Sequence, residues 1–556
     1  MQVFRFDIVV VGAGLAGAMA ALEAARRGKS VIILSKSQPF GSHSVNPESG
    51  INLALRGGDD WEKHAQDIWN DGHFLSDWDA AEVMCKDGPE LVRKDFYDLL
   101  DRDAQGGVVA YEKAGTSRAV KAGDNTGLNF MRRAYALLKD RKVPVAPDRV
   151  VTSLVVEDGA CRGVTAFNVA TGEVEGYASP AVVLSTGGFG QIYQNTVHGS
   201  QMTGDGLALA YQAGVPLKDM EFVRFNQTII YGTNAAITEG AFLKGMRFYN
   251  KNNERFMAKY DPEKMEATNL FHLKRYIQLE MDAGTAVEGK YFFADFTHLE
   301  EDYVNRELPT TRRKCALILG LDILKDRIPV VPGVYVTLGG IAIDVNGGTA
   351  VPGLYAAGEC ACPGVHGADW KIGNTVLAAL VFGRRAGAHA AARGAKVDEA
   401  QVAASVEQET ARLNGIVARS QGRPYHLLVM ELRRIMSKDV AIVRDRSRLR
   451  GALAIIRDLK EQYRTAVVWD RGLESNQQLV GFLQLGHMLL VAEAVANAAL
   501  AREESRGTHW RSDFQERDDQ KWLCHSLQSY SPDGPRLTHA SVQRGKFTPK
   551  EKVILR

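Results

Sequence analysis

The chain is 556 residues long, more than one ordinary hydrophobic core needs, which predicts two or three domains. Hydrophobic residues make up 45% and charged residues 24%, the balance of a soluble globular protein. Lysine plus arginine number 68 against 66 aspartate plus glutamate. A net charge of +2 without a basic arm argues against a nucleic-acid partner.

The six cysteines are scattered along the chain, which favours a reducing compartment over a disulfide framework. Cys360 and Cys362 are close, but no second pair has matching spacing, so we expect no metal site. The chain opens on a strand pattern rather than a signal peptide. The most apolar helical run, Met488 to Ala501, contains Glu493 and is too short to span a bilayer. We therefore expect a cytoplasmic protein, peripheral on the inner face of a membrane if partners bring it there.

The first elements predict a βαβ unit. Asp7 to Val11 is almost entirely β-branched, as in a parallel strand that is buried on both faces. Ala16 to Arg26 is a helix of small residues, and Val31 to Leu34 is a second strand. Such a unit has a right-handed connection.

The turn of this unit carries three glycines, Gly12, Gly14 and Gly17, in the spacing G-x-G-x-x-G. The first permits a tight turn, the second lets the backbone approach a pyrophosphate, and the third lets the helix meet the strand. The free N–H groups at the helix N-terminus then face the phosphates. A glycine turn without a ligand is the alternative.

Two features favour FAD over NAD. The second strand ends in Ser35 and Lys36, where an NAD site usually has an acid for the ribose. Far downstream, Gly353 to Glu359 ends in a glycine and a carboxylate that can hold the hydroxyl groups of a flavin nucleotide. Two such segments separated by an insertion suit a long, bent cofactor.

The predicted secondary structure changes three times along the rest of the chain. Strand patterns with glycine-rich turns continue to Gly206, including Ala181 to Gly188, and return between residues 342 and 357. Between them lie mixed short helices and loops, and a helical region and a polar tail follow. We predict an α/β protein whose Rossmann-like FAD-binding domain (1–220 and 341–393) is interrupted by an α+β capping domain (221–340). A helical domain (394–506) and a C-terminal extension (507–556) that wraps a surface complete it.

Motifs in order along nearly the whole chain resemble the flavoprotein subunits of succinate dehydrogenase and fumarate reductase. They are Ser35–Lys36, Ser42–Ser44 (SHS), Thr203–Gly206 (TGDG), Met220–Val223 (MEFV), Ile237–Gly240 (ITEG), Gly358–Glu359, Val365–Ala368 (VHGA), Phe382–Arg384 (FGR), Glu504–Gly507 (ESRG) and Glu516–Asp519 (ERDD).

The resemblance implies FAD as the cofactor. It implies covalent attachment through His43 to the flavin 8-methyl group, with a loop histidine that only hydrogen-bonds as the alternative. The implied cofactor residues are Gly12, Gly14, Gly17, Ser35, Lys36, Ser42, His43, Ser44, Gly50, Asp205, Glu359, Asn374, Thr375 and Leu377.

The resemblance also implies catalytic residues in the capping domain. Arg275 occupies the place of the arginine that exchanges a proton with the substrate, with Glu239 and Thr238 assisting. A surface arginine on an amphipathic helix, beside Lys274, is the alternative for Arg275.

The expected substrate pocket departs from the family pattern. Neutral or aromatic residues stand where the family has arginines and histidines that hold a four-carbon dicarboxylate, and Glu48 adds a carboxylate near the flavin. The expected pocket residues are Glu48, Ser49, Asn226, Phe242, Tyr335, His366 and Trp370, of which His366 belongs to the matching VHGA motif. Lys244 or Lys371 would restore some positive charge if either points inward.

Three functions remain open from the sequence. The first is the flavoprotein subunit of a succinate dehydrogenase or fumarate reductase-like complex, which exchanges electrons with an iron–sulfur subunit. The second is a related FAD-dependent reductase or dehydrogenase for a larger, less charged substrate, as in the adenylylsulfate reductase flavoproteins. The third is an electron-transfer flavoprotein subunit without its own substrate. The retained Arg275, Thr238 and Glu239 speak against the third.

Overall fold

A computed structural model describes residues 2–48, 50–55, 58–113, 116–237, 239–394 and 397–545. Up to residue 220, the elements are β1 (Gln2–Arg5), β2 (Ile8–Val11), α1 (Leu15–Arg26), β3 (Val31–Leu34), β4 (Ile51–Asn52), α2 (Trp61–Asp71), α3 (Trp78–Asp95), β5 (Ala110–Lys113), β6 (Thr116–Val120), α4 (Thr126–Asp140), β7 (Val145–Ala146), β8 (Arg149–Glu157), β9 (Ala160–Asn168), β10 (Glu173–Ala178), β11 (Ala181–Leu184), α5 (Asp205–Gln212) and β12 (Leu217–Lys218).

The segment predicted as the capping domain, residues 221–340, contains both element types. Its elements are β13 (Val223–Ile230), β14 (Arg247–Tyr249), α6 (Met257–Tyr260), α7 (Leu270–Asp282), β15 (Phe292–Asp295), α8 (Glu301–Glu307), α9 (Pro309–Leu319), β16 (Ile328–Thr337) and the start of β17 (Gly340–Ala342).

The remaining described chain is mostly helical. Its elements are β18 (Leu354–Ala356), β19 (Ala361–Cys362), α10 (Asn374–Ala392), α11 (Glu399–Val417), α12 (Tyr425–Asp439), α13 (Arg446–Tyr463), α14 (Gln477–Ala501), β20 (Cys524–Ser529) and β21 (Arg536–Ser541).

A parallel five-stranded sheet, in the order β18-β11-β2-β3-β7, forms the centre of the first domain. The four strands β2, β3, β11 and β18 lie side by side although β18 follows the inserted segment by chain order. The predicted βαβ unit is confirmed at β2, α1 and β3. Because the sheet takes strands from both sides of residues 221–340, the insertion is real; the predicted domain boundaries themselves stay a prediction.

The inserted segment has its own sheet and core. Its four antiparallel strands follow the order β13-β16-β15-β14, and apolar side chains from α7 and α9 pack with them. The long strands β13 and β16 run from this core back to the first domain. They therefore carry side chains from the cap to the edge of the central sheet. We call residues 221–340 the cap.

Helix α14 is longer than the apolar run that the sequence indicated. It spans 25 residues and is, within the described residues, the one helix long and apolar enough to cross a membrane. Of its most apolar stretch, 78% is buried inside the protein, where it packs against α13, α12 and α5. Its buried Glu493 is paired with Arg457 and Lys460. These contacts are those of a core helix.

The beginning of the C-terminal extension differs from the prediction that this region wraps a surface. His509 and Arg511 are fully buried. Arg511 donates hydrogen bonds to the carbonyls of Ala499 and Leu500, at 2.9 and 3.0 Å, which satisfies the otherwise open C-terminus of α14. The later strand β20 then joins the sheet of β12 and β17.

Candidate active site

A long cavity of about 180 Å³ lies at the carboxyl ends of β2, β3 and β11. In an open parallel sheet, ligands bind at this edge. We call it the dinucleotide cavity. Of the predicted cofactor residues, it is lined by Gly12, Gly14, Ser35, Lys36, Ser42, His43, Ser44, Asp205, Glu359 and Thr375.

The three glycines of the first turn have different surroundings. Gly12 has φ +113°, and a Cβ there would lie 2.2 Å from the Ser185 carbonyl oxygen. A Cβ on Gly17 would lie 2.1 Å from the carbonyl oxygen of Gly12, so this residue sets how closely α1 meets the turn. A Cβ on Gly14 would lie 3.1 Å from Ser44 Oγ and 4.0 Å from Ser42 Cβ, both beside the cavity. Gly14 thus leaves space for a ligand.

Helix α1 begins at Leu15, and its N-cap residue, Gly14, has no side chain that could cap the first turn. The Leu15 N–H donates to Ser44 Oγ at 3.0 Å, and the following N–H groups of the first turn have no intrahelical acceptor. Ser42 Oγ is buried and has no hydrogen-bond partner among the described residues, although Ser42 lines the cavity. An open helix N-terminus and an unpaired buried hydroxyl fit a phosphate-bearing cofactor.

Lys36 and Asp205, which are far apart in sequence, form an ion pair at this cavity. The Lys36 Nζ lies 2.5 Å from Asp205 Oδ2 and donates to Thr203 Oγ1 at 2.9 Å. His487 contributes Nδ1 at 3.1 Å from Asp205 Oδ1. Burial alone would raise the pKa of Asp205, but Lys36 and His487 lower it far below its usual range. The carboxylate is therefore charged at every working pH.

His43 stands where the dinucleotide cavity meets a second cavity, and it lines both. Its ring contacts the His198 ring edge-to-face, with centroids 5.1 Å apart. Burial, with a further contribution from His198, lowers the pKa of His43 to about 4. The imidazole is therefore neutral near pH 7.

Glu359 lies beside these two histidines. Its Oε1 accepts hydrogen bonds from the Thr337 N–H and hydroxyl, both at 2.9 Å, and lies 3.2 Å from His198 Nε2. Burial alone would raise the pKa of Glu359, but His198, His43 and the Thr337 N–H lower it to about 2. His198 Nδ1 accepts from the Gly190 N–H at 3.1 Å, so its Nε2 carries the proton, and this nitrogen lies 3.1 Å from the Tyr335 carbonyl oxygen as well as 3.2 Å from Glu359 Oε1.

The second cavity, of about 390 Å³, lies between the cap and the first domain, and we call it the cap cavity. Amide, aromatic and apolar side chains make up most of its wall. Its lining includes the predicted residues His43, Glu48, Gly50, Asn226, Tyr335, Glu359, Trp370 and Thr375, and also Asn46, Asn125, Val197, Asn234, Lys314, Ile318 and Ile372.

Lys314, on the cap helix α9, projects into this cavity. Its Nζ lies 3.4 Å from Glu48 Oε2 and 3.3 Å from the Ala236 carbonyl oxygen. The Lys314 side chain is 23% exposed and the Glu48 side chain 41%. Among the described residues of the cavity wall, Lys314 is the one lysine or arginine.

An arginine does lie close to Trp370, but it is neutralised behind the wall. Arg224 Nη1 lies 2.6 and 2.7 Å from the two Asp369 carboxylate oxygens, and both side chains are buried. The Arg224 guanidinium carbon is 5.0 Å from the centre of a Trp370 ring. Because Arg224 is paired with Asp369, it is not available to bind the carboxylate of a ligand.

The prediction that Arg275 exchanges a proton with the substrate needs correction. Arg275 lines a separate pocket of about 20 Å³ with Val223, Phe225 and Trp510. Neighbouring residues of a strand point to opposite faces, so the face of β13 that carries Phe225 is not the face that carries Asn226 into the cap cavity. Arg275 lies behind this strand.

Three other predicted residues do not line either cavity. Phe242 is buried in the hydrophobic core of the cap. Leu377 packs between α10 and α3, where a Cβ on Gly88 would lie 2.7 Å from its Cδ1. Asn374 is buried at the start of α10, and its Oδ1 accepts from Asn52 Nδ2 at 3.0 Å. Asn374 thus acts indirectly, because it fixes the helix end that presents Thr375.

His366 and the two candidate lysines also lie outside the cap cavity. His366 lines a pocket of about 40 Å³ behind Glu359, and burial lowers the pKa of this histidine to about 4. Lys244 pairs with Glu307 at 3.1 Å. Lys371 Nζ lies 3.5 Å from Asp71 Oδ2. Neither lysine replaces the missing arginines.

Three predicted residues cannot be placed in this way. Ser49, Thr238 and the side chain of Glu239 lie outside the described residues. Ile237 and Gly240, on either side of Thr238 and Glu239 in sequence, line the cap cavity. The assisting roles of Thr238 and Glu239 stay a prediction.

Family models and relatives agree with this architecture. The FAD binding domain model matches residues 7–376, and the model described as the fumarate reductase flavoprotein C-terminus matches residues 429–554. The fumarate reductase flavoprotein subunit of Mycobacterium tuberculosis H37Rv is 35% identical over 99% of both chains. The succinate dehydrogenase flavoprotein subunit of Rickettsia conorii is 33% identical over 95% of this chain and 94% of the relative.

The chain belongs to the succinate dehydrogenase and fumarate reductase flavoprotein family. Among solved structures, E. coli quinol fumarate reductase FrdA has a TM-score of 0.91 at 31% identity, covering 99% of both chains. Mycobacterium smegmatis Sdh1 has a TM-score of 0.90 at 31% identity, covering 98% of this chain and 95% of that one. As a member of this flavoprotein family, the chain is an FAD-dependent oxidoreductase.

Sequence reasoning missed Lys314 and His198 in this flavoprotein. Helix α9 buries Thr311, and Lys314 lies next to it on the helix surface because residues three apart are neighbours. That spacing predicts which face is inward but not which domain the face meets. For His198, a histidine five residues before a TGDG motif gives no signal of contact with Glu359.

Proposed function

We propose that this flavoprotein transfers a hydride between FAD and a C–C bond of a carboxylate-type substrate held in the cap cavity. We further propose that the substrate carries less negative charge than succinate or fumarate. The supporting observation is the cap cavity itself, which reaches His43, Glu359 and Thr375 at the end of the dinucleotide cavity.

Different residues of the first domain would bind different parts of the cofactor. The turn at Gly12 and Gly14 and the N-terminus of α1 would receive the pyrophosphate. Glu359, held charged by His198 and Thr337, would accept hydrogen bonds from cofactor hydroxyls. When bound, FAD supplies the site that accepts or donates a hydride. His43, being neutral, would present a nucleophilic ring nitrogen to the flavin edge, which is the condition for covalent attachment.

The charge of the cap cavity disfavours a dicarboxylate. Each hydrogen bond between a cation and a carboxylate contributes about 1.5–3 kcal/mol. The described wall contains Lys314 but also the carboxylates Glu48 and Glu359. A dianion would meet one paired cation and two acidic groups, so succinate and fumarate would bind weakly.

Proton transfer then falls to a group other than Arg275. We propose Glu239, whose neighbours Ile237 and Gly240 line the cap cavity, as the group that exchanges a proton with the substrate carbon. Thr238 would assist. Replacing Glu239 by Gln should slow hydride transfer without releasing FAD.

An electron-transfer flavoprotein without its own substrate fits less well. A cavity of about 390 Å³ between the cap and the flavin site would then have no purpose, whereas substrate cavities are of this size. The adenylylsulfate reductase of Archaeoglobus fulgidus, at 18% identity and a TM-score of 0.75, shares the fold with this chain and supports no choice of substrate.

An iron–sulfur subunit is the proposed electron partner, because relatives carry the name of flavoprotein subunits. Within the described residues, the cysteines are free and no group of cysteine, histidine or acidic side chains could hold a metal cluster. We therefore propose that electrons leave through a separate subunit, which would also place this chain on the cytoplasmic face of a membrane.

Anaerobic titration tests the proposed reaction. The photoreduced holoprotein is mixed with enoates of different charge and bulk, and flavin reoxidation is followed by absorbance. Reoxidation by at least one monocarboxylate enoate is expected. Reoxidation by none of them, together with no spectral response of oxidised flavin to saturated acids, would favour the electron-transfer role instead.

A further inference from the structure

We infer that Lys314 binds the anionic group of the substrate, and that the substrate is a monocarboxylate with a bulky apolar body. This inference rests on the proposed function and specifies its substrate class. No motif of the family resemblance pointed to Lys314.

The position of Lys314 is fixed by the helix that carries it. Arg312, two residues earlier, holds α9 in place through Asp322, at 3.1 and 3.0 Å, and through Glu301, at 2.8 Å. Thr311 and Cys315 anchor the inner side of the helix in the cap. Lys314 therefore projects from a rigid element into the cap cavity, as a specific binding group requires.

The partner of Lys314 comes from the other domain. Glu48 belongs to the loop after His43, so the Lys314–Glu48 pair spans the cavity from the cap to the first domain. The separation of 3.4 Å exceeds the usual 2.7–2.9 Å of a charge-assisted hydrogen bond. Both side chains keep contact with solvent. A substrate carboxylate can therefore take the place of Glu48 on Lys314 with shorter bonds.

Other nearby cations are already committed. Arg224 is paired with Asp369, Lys371 lies near Asp67 and Asp71, and Lys244 is paired with Glu307. A carboxylate in a partly desolvated site needs a cation or several donors. Because Lys314 is the one lysine or arginine of the described wall, the cavity can hold one carboxylate in this way.

The rest of the wall fits an apolar body. Trp370 and Tyr335 lie with ring centroids 5.9 Å apart, and Val197, Ile318 and Ile372 add aliphatic surface. The amides of Asn226 and Asn234 accept or donate without adding charge. An aryl- or alkyl-substituted enoate, or its saturated form, matches one cation and this surface.

The experiment uses the full-length oxidised holoprotein and a shape-matched pair of probes, the anion cinnamate and the neutral cinnamamide. Binding is measured from the perturbation of the flavin spectrum. The natural chain should prefer cinnamate. Lys314→Met should weaken cinnamate binding by about 10- to 100-fold, the loss of one charge-assisted bond, and leave cinnamamide unchanged.

Three further variants keep the inference falsifiable. Lys314→Arg should retain most of the preference for cinnamate, and Glu48→Gln should strengthen cinnamate binding several-fold because a competing carboxylate is removed. Lys244→Met, a cap lysine outside the cavity, should change nothing. A structural role of the Lys314–Glu48 pair would predict weaker binding of both probes in Glu48→Gln.

The outcomes separate this inference from the proposed function. If Lys314→Met retains the preference for cinnamate, or if the natural chain binds neither probe, the inference is wrong. Should the reduced natural chain still be reoxidised by other enoates, the proposed reaction stands and only the assignment of Lys314 falls. If Lys314→Met does not fold, the test rests on Glu48→Gln. An unchanged cinnamate affinity in that variant would then contradict the inference that Lys314 binds the carboxylate.

Discussion

Arg275 and Trp510 stack across the contact between the cap and the C-terminal segment, with the guanidinium carbon 4.6 Å from the ring centre. Burial lowers the pKa of Arg275 to about 10, so the side chain remains a cation near pH 7. This contact ties α7 to the segment that follows α14, and it lies behind β13 rather than at the flavin.

Replacement of Arg275 by Met should therefore reduce stability more than catalysis. A partly desolvated cation–π contact contributes about 1–2 kcal/mol, and this is the expected fall in the free energy of unfolding, measured by denaturant titration. The hydride-transfer rate, from stopped-flow flavin reoxidation, should stay within a few-fold. A fall of about 100-fold or more in that rate with unchanged stability would instead restore the acid–base role.

Two alanine variants in the first glycine turn should behave differently. In Gly17→Ala, the new Cβ meets a carbonyl oxygen at 2.1 Å, so the contact between α1 and the turn cannot form and folding should fail. In Gly14→Ala, the Cβ lies 3.1 Å from a serine hydroxyl beside the cavity. This variant should fold, with native circular dichroism, but retain little FAD. Full FAD content in Gly14→Ala would contradict the placement of the pyrophosphate.

Replacement of Glu359 by Gln should weaken cofactor retention without a pH dependence near neutrality. Because the pKa of Glu359 is about 2, the natural carboxylate is charged above about pH 4. Loss of its charge should cost about 1.5–3 kcal/mol, or roughly 10- to 100-fold in FAD affinity. The ratio of FAD affinities between the natural chain and the variant should be constant from about pH 5 to 8. If the two FAD affinities became equal at the acidic end of this range, Glu359 would be titrating there.

His525 forms a buried clamp with two carboxylates, and this clamp predicts a pH dependence of stability. Its Nδ1 lies 2.6 Å from Asp219 and its Nε2 3.0 Å from Asp77. Burial alone would lower the pKa of His525, but Asp219 and Asp77 raise it. Burial would raise the pKa of Asp77, yet His525 and Lys218 lower it to about 2.

The clamp should stabilise the fold most between about pH 4 and 6.5, where His525 is protonated and Asp77 is ionised. The contribution of His525 is complete below its unfolded pKa of about 6.5 and is lost as pH rises through the higher folded value. The contribution of Asp77 is complete above about pH 4 and is lost as pH falls toward 2. His525→Gln should therefore destabilise by about 3 kcal/mol near pH 5.5 and by less near pH 9. A stability difference that does not change with pH would contradict this.

Local features of the fold could be read from the sequence. The glycine turn, the β-branched strand at Ile8–Val11 and the helix of small residues at Leu15–Arg26 are neighbours in sequence, so their pattern alone predicts them. Lys36 and Asp205 were also predicted, because each lies in a recognisable motif, although their ion pair was not.

Long-range placement could not be read in the same way. Whether Arg275 faces the cavity depends on which side of β13 the helix α7 covers, and strand alternation settles this only once the sheet is known. Lys314 carries no motif, and its role depends on a meeting between α9 and a loop that lies 266 residues earlier in the chain. The charge of a cavity wall is thus decided by tertiary contacts such as that between Arg224 and Asp369.

The most direct measurement is the anaerobic reoxidation of the photoreduced, full-length flavoprotein by fumarate and by cinnamate, at equal concentrations and in parallel. A cap cavity with one paired cation and an apolar wall predicts reoxidation by cinnamate and little or none by fumarate at millimolar concentration. Rapid reoxidation by fumarate, with no response to cinnamate, would contradict the account and assign a dicarboxylate to this site.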